Sequence, residues 1–365
     1  MTGTATGSEA ITMESYNQNA IRTAAKVSEY RRQRKASIDR TREQLFPASD
    51  PTGLGVTLEY EKMGNQPVSE QLAERAEALG LEFEHLGVTL GTVIHNACLK
   101  GTPAPELISV IRATLLERKV IFFRDQHLDE DEQVQFAQCF GELDAFPFGK
   151  PGKNPYILEI VHDEKSPGVE NGFHTDVTWM EKPSLGSVAQ LTTAPPQGGD
   201  TLFSDSHACY LGLPKNLQAE IEYLNGIHDY RNFLGRGEHA LPPQLIAEIK
   251  ASIPFGVSHP LVRTHPETGK PALYLHGGFL RHDSLYDRRS GESLGSEKSQ
   301  GIVSQLLSRH NRPEYICRFK WQAGSIAFWD NRAVQHYAAS DYYPHRRVLR
   351  RVTVSGDRPY YEPAN

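Results

Sequence analysis

Apolar positions recur at helical spacing in three stretches, about 68–80, 105–118 and 129–140. Between the last two lies Lys119-Val-Ile-Phe-Phe-Arg124, a short apolar run of the kind that forms a buried strand. From about residue 155 the pattern turns strand-like. Tyr156–Val161, Ser187–Thr192, Ala272–Leu275, Ile316–Trp321, Ser325–Trp329 and Arg347–Val354 are strand-like runs separated by turn residues. Helical stretches near 215–225, 243–251 and 297–309 interrupt the series. Many short strands with intervening helices predict a mainly β fold with flanking helices. The expected form is a double-stranded β-helix, a cupin-like jelly roll with a ligand cavity between its sheets.

The upstream region reads differently. Residues 1 to about 16 are small and polar and are expected to be disordered. Residues 18–46 carry Ala, Arg, Lys, Glu and Gln with few apolar positions, the pattern of one polar helix. Pro47–Pro67 reads as a linker. The expected organisation is an N-terminal extension over residues 1–75 and a jelly-roll domain over 76–365. The extension could cover a site, contact another subunit or stay disordered.

Composition narrows the partners. The 365 residues are 38% hydrophobic and 23% charged, as in a soluble globular protein. A formal charge of -6 disfavours general nucleic-acid binding but leaves room for a local basic pocket. Cys98, Cys139, Cys209 and Cys317 lie far apart and form no C-x-x-C pair, as for unpaired thiols in a reducing compartment. The start lacks a basic, apolar leader, and no apolar run approaches the ~18 residues of a membrane span. A cytoplasmic protein acting on a small molecule, without a membrane partner, is expected.

The chemistry concentrates in Gly172-Phe-His-Thr-Asp-Val-Thr-Trp179, a segment expected to be a strand. His174 and Asp176, two apart, would then face one side, where an imidazole and a carboxylate can share an ion. A second histidine from a distant strand would complete a two-histidine, one-carboxylate triad with open metal positions. The same spacing occurs at His127/Asp129, His162/Glu164 and His265/Glu267, so spacing alone leaves four candidates. His336 follows the apolar run that ends at Trp329. Arg347 and Arg351 share one face of the last strand, with Val348, Val352 and Val354 on the other, packed under a helix. The two arginines suit either a solvated edge or an acidic cosubstrate held through the two-pronged guanidinium.

Taken together, His174-Thr-Asp176, Gly198-Gly-Asp-Thr201, Trp329-Asp-Asn-Arg-Ala-Val-Gln-His336 and Arg346-Arg347 with Arg351 resemble the taurine/alkylsulfate/2,4-dichlorophenoxyacetate dioxygenase family. Order and spacing agree along about residues 83–361. The resemblance implies a jelly roll, Fe(II), 2-oxoglutarate as cosubstrate, and O2. It implies that His174, Asp176 and His336 bind the metal and that Arg347 and Thr201 bind 2-oxoglutarate. It implies that Arg351 faces an anionic group of the substrate, and that Phe279 lines the substrate pocket. Oxidation of an unactivated C–H bond, with release of succinate and CO2, follows from the same resemblance, as does a homo-oligomer. With Asp176 present, no ligand position is left vacant for a halide, so halogenation is not expected.

The chain departs from the sulfonate-oxidising members in Asp144-Ala-Phe-Pro-Phe-Gly149. Phe146 and Gly149 stand where those members carry a histidine and a tyrosine, and Glu170 replaces an asparagine. These changes point away from taurine and towards a larger or more apolar substrate. Ordinary loop packing of Phe146 and Phe148 is the alternative. Three rival functions carry different signatures. A zinc hydrolase would need a nearby glutamate as base, a binding module would tolerate loss of a ligand, and a biosynthetic oxygenase would keep every ligand and release no fragment.

Overall fold

The computed structural model describes residues 13–36, 54–149, 153–168, 172–236 and 240–363. Expectations for residues 1–12 and 37–53 and for Glu170 lie outside them. The chain divides into two units, Met1–Ser49 and Asp50–Asn365. In the first, helix α1 (Met13–Ala36) realises the expected polar helix, with Ile21, Val27 and Tyr30 all exposed.

The second unit opens with α2 (Leu54–Lys62), α3 (Glu70–Ala78), β1 (Glu82–His85), β2 (Thr92–His95), α4 (Pro105–Arg118) and β3 (Val120–Phe123). There follow α5 (Glu130–Gln138), β4 (Leu143–Asp144), β5 (Ile157–His162), β6 (Gly186–Thr193), β7 (Thr201–Asp205), α6 (Ser206–Leu211) and α7 (Lys215–Ile221). Next come β8 (Leu224–His228), α8 (Pro243–Ser252), β9 (Val257–Pro260), β10 (Val262–Thr264), β11 (Pro271–Leu273) and β12 (Tyr286–Asp287). The unit closes with α9 (Ser296–Arg309), β13 (Ile316–Phe319), β14 (Ile326–Asp330), β15 (Val334–Ala338) and β16 (Arg347–Val354).

Two sheets matter for the site. The larger runs β1-β2-β3-β14-β6-β16-β4, with β5 also paired to β16; the smaller is β13-β7-β15. All pairs are antiparallel except β2 with β3. The run at Val120–Phe123 has no polar residue because both its faces are covered. Phe122 turns inward with Ala189, Trp329 and Leu349 against Phe203 and Phe319 of the small sheet. Ile121 and Phe123 turn outward with Val352 and Val354 beneath Ile111, Leu115, Phe136 and Ala137 of α4 and α5. Val352 and Val354 are therefore helix-covered, as expected, whereas Val348 is buried outside that cluster, and Leu349 shares the inner face with Arg347 and Arg351. A bulge at Val348/Leu349 shifts the register of β16 on β6.

The linker expected over 47–67 contains a helix, and the compact unit begins before residue 76. Val56 of α2 packs in one core cluster with Ala208, Tyr210 and Leu217. Glu59 accepts from Lys119 Nζ at 2.8 Å, and Lys119 also meets Asp205 at 2.8 Å, with all three side chains buried. An apolar face and a buried charge partner tie α2 to the jelly roll, although its short sequence shows little periodicity. The stretch at 283–300, rich in Arg, Ser, Gly and Glu, holds β12 and the start of α9 and contributes no residue to the main cavity. All four cysteines are unpaired, two exposed and two buried.

Candidate active site

The expected strand over 172–179 is a single bridge followed by a turn. His174 N donates to His336 O at 3.0 Å, and His336 N donates to His174 O at 2.9 Å. This pairing brings two histidines 162 positions apart in sequence side by side, with ring centroids 4.1 Å apart. The chain then turns, with Val177 at φ 48, a left-handed conformation rare for a β-branched residue. Asn331 clamps this turn: its Oδ1 accepts from Asp176 N at 2.8 Å, and its Nδ2 donates to Asp176 O at 3.0 Å. The carboxylate thus comes back to the imidazoles through a turn, and strand alternation plays no part.

One donor atom each from His174, Asp176 and His336 falls within 4.8 Å of the others, the one such cluster among the described residues. Each histidine Nε2 stands 3.9 Å from an Asp176 oxygen. His174 Nδ1 donates to Gly172 O at 2.9 Å, which leaves its Nε2 lone pair free for a metal. Burial opposes ionisation of Asp176, but Arg351 first and then the histidines hold its carboxyl at about 2. Burial, and next His174, push His336 down to about 3, so its imidazole is neutral and suited to ligation. Arg351 Nη1 donates to both Asp176 oxygens at 3.0 Å, so the residue expected to face substrate also braces the carboxylate. The other three pairs do not join the triad, although His162 lines the same cavity. His127 is exposed, His265 is buried against Asp330 at 3.0 Å, and His162 bonds Tyr342 from β5.

The triad lies in the wall of a cavity of about 730 Å3. On one side stand Thr201 and Arg347, both buried. Gly198 and Gly199, at φ 75 and 72, make a tight turn before Thr201; a Cβ on Gly199 would sit 3.1 Å from Arg347 Nε. Trp321 Nε1 donates to Thr201 Oγ1 at 2.9 Å. The Arg347 guanidinium lies 5.9 Å from the Trp321 ring and 5.7 Å from that of Tyr342. A second group of lining residues is phenylalanine. Phe146 meets Phe233 at 5.8 Å, Phe233 meets Phe279 at 5.4 Å, and Phe148 stacks on Phe233 at 4.8 Å. Phe146 and Phe279, the two phenylalanines singled out in sequence, therefore share Phe233 as neighbour, and Phe146 is at once packing and cavity lining.

Sequence reasoning missed Phe233, Asn331, Trp321 and His276. The first three carry no periodic or spacing signal. His276 stands beside the expected Phe279, its ring 3.9 Å from that phenylalanine and 5.4 Å from His174. Burial, then the neighbouring His174, hold it well below the usual histidine range.

Two imidazoles and a carboxylate facing a jelly-roll cavity form the donor set of mononuclear non-haem oxygenases. Residues 95–353 match the model of the family described as taurine catabolism dioxygenase TauD, TfdA family, and the chain belongs to that family. It is 33% identical to the alpha-ketoglutarate-dependent sulfate ester dioxygenase of Pseudomonas putida, over 79% of this chain and 94% of the relative. It is 33% identical to an alkylsulfatase of Acinetobacter baylyi, over 76% of this chain and 86% of the relative. A crystal structure of a taurine dioxygenase from Burkholderia xenovorans superposes with a TM-score of 0.64 at 32% identity, covering 77% and 91% of the two chains. The protein is thus an oxidoreductase of the dioxygenase class, and its jelly roll is that of its structural relatives.

Proposed function

We propose that this chain is an Fe(II)- and 2-oxoglutarate-dependent dioxygenase that oxidises the carbon next to the ester oxygen of an organic sulfate with an apolar chain. The carrying observation is the cavity itself: a metal-type triad in its wall, an arginine and a threonine on one side, aromatic rings on the other. His174, Asp176 and His336 hold the metal; Arg347 and Thr201 hold the far carboxylate of 2-oxoglutarate. Bound iron, with 2-oxoglutarate and O2, supplies the oxidant for an unactivated C–H bond and leaves succinate and CO2.

The chain's own residues bind and orient. An indole N–H can only donate, so Trp321 occupies an acceptor position of the Thr201 hydroxyl and leaves its one hydrogen for a carboxylate. Arg347 adds a guanidinium for the same group. The rings of Phe146, Phe233 and Phe279 give an apolar chain a dry wall. Oxygen insertion next to an ester oxygen gives a product that collapses to an aldehyde and sulfate. Two relatives, named for sulfate esters and alkyl sulfates, support that substrate class.

The test is direct. Protein loaded with Fe(II) and 2-oxoglutarate is offered O2 with hexyl sulfate, phenoxyacetate or taurine, and sulfate and succinate are measured. Hexyl sulfate should release sulfate in step with succinate, and taurine should stay inert. Succinate formation driven by phenoxyacetate or taurine and not by any alkyl sulfate would replace this substrate class. Under anaerobic conditions, a weak visible charge-transfer band on adding 2-oxoglutarate, lost in Arg347→Ala, tests the cosubstrate site on its own.

A further inference from the structure

His276 is built as the reverse of the ligand His174. Both line the cavity, but the hydrogen of one is on the nitrogen where the other accepts. His174 donates from Nδ1 to Gly172 O and keeps a lone pair on Nε2. His276 Nδ1 instead accepts two backbone N–H groups, from Gly278 at 2.8 Å and from Phe279 at 3.0 Å. A nitrogen that accepts twice carries no hydrogen, so the neutral ring carries its hydrogen on Nε2. Nδ1 is turned back to its own loop, and Nε2 is the nitrogen left to the cavity that the ring lines. The loop is held tightly: Asn232 Nδ2 donates to Gly278 O at 3.1 Å, and a Cβ on Gly278 would stand 3.0 Å from that nitrogen. Phe279 covers one face of the imidazole at 3.9 Å.

His276 is not part of the triad's cluster of donor atoms, and a nitrogen bearing hydrogen does not ligate. What remains is a fixed donor in a largely apolar wall, beside a metal-type histidine. We propose that His276 orients the substrate: its Nε2–H holds an oxygen of the substrate's sulfate or carboxylate head, so that the neighbouring C–H faces the metal centre. This rests on the cavity assignment above but not on the choice of sulfate over carboxylate. A site built around one committed donor discriminates against analogues that lack the acceptor, because the donor is then left unpaired.

Three variants separate the roles. His276→Asn keeps an oxygen near the old Nδ1 to accept the loop amides but removes the donor. His276→Gln places an amide N–H near the old Nε2. His276→Phe keeps the ring and removes both. Binding of hexyl sulfate and of phenoxyacetate is measured by anaerobic calorimetry on protein loaded with Fe(II) and 2-oxoglutarate, together with product formed per succinate. Asn and Phe should weaken the bound probe about ten-fold, the size of one hydrogen bond to a charged group, and uncouple succinate from product. Gln should restore most of both, and Fe(II) and 2-oxoglutarate affinities should not move.

Wild-type affinity and coupling in His276→Asn, or equal rescue by Asn and Gln, would overturn the assignment. So would a parallel loss of Fe(II) affinity, which would make His276 a ligand or a structural prop. If only phenoxyacetate binds and shows this pattern, the sulfate reading falls and His276 stands. If hexyl sulfate binds and turns over independently of His276, the reverse holds. If neither probe binds the wild type, an anionic head is not what the site recognises and both fall.

Discussion

The two sides of the cavity are held in place by different forces. On the polar side three of the functional groups are fixed by directed bonds: His174 by Gly172, Asp176 by Asn331 and Arg351, Thr201 by Trp321. The aromatic side has no such bonds among its rings. Phe146, Phe148, Phe233 and Phe279 meet only edge, face and tilt, and the helix behind them, α8, has no fully buried residue of its own. Directed bonds tolerate little displacement, whereas ring contacts adapt by small rotations. The chemistry is thus set by directed bonds and the phenylalanine wall by adaptable contacts, so change among these rings can alter what is oxidised without altering how.

Substitutions on the two sides should therefore differ in kind as well as size. The largest effect is expected from Asp176→Ala, which should abolish Fe(II)-dependent succinate formation and metal binding by calorimetry; retained binding would remove Asp176 from the triad. Asn331→Ala leaves the ligands but frees their turn, and should lower metal affinity by about 10- to 100-fold. Trp321→Phe should raise the dissociation constant for 2-oxoglutarate by about ten-fold, the order of one directed hydrogen bond, with metal affinity unchanged. Phe233→Leu should move chain-length preference among alkyl sulfates by only about four-fold, the transfer value of a single methylene. A Phe233→Leu effect as large as that of Asn331→Ala would break the comparison.

Acid provides a further probe of the polar side, in metal-free protein. The Asp176 carboxyl, at about 2 against an ordinary 3.8, is stabilised by ionisation in the fold. That contribution is complete above about pH 4 and is lost as pH falls towards about 2. In Arg351→Met the first of the groups that lower this carboxyl is gone, and its value should move up from about 2. The stability gap between wild type and variant, followed by denaturant unfolding, should therefore narrow as pH falls through this window.

Much of the fold was legible because burial writes itself into runs: Val120–Phe123 and 326–329 are apolar since both their faces are covered. His336, Arg347 and Thr201 were picked out by the family resemblance of their motifs, and all three line the cavity. The route of Asp176 into the site was not, because a left-handed Val177 and an asparagine 155 positions away replace strand alternation. His276 was illegible for another reason. A histidine's role depends on which nitrogen holds the hydrogen, and two amides of the following loop decide that. Phe233 joins Phe146 to Phe279 only after the chain has folded back on itself.

The buried knot of Glu59, Lys119 and Asp205 shows that the family match and the unit of folding have different borders. The family match starts at residue 95, yet the carboxylate that balances Lys119 from outside the jelly roll stands at residue 59. A chain trimmed to the inherited portion would expose the surface that Val56 covers and remove one of the two acids facing a buried ammonium.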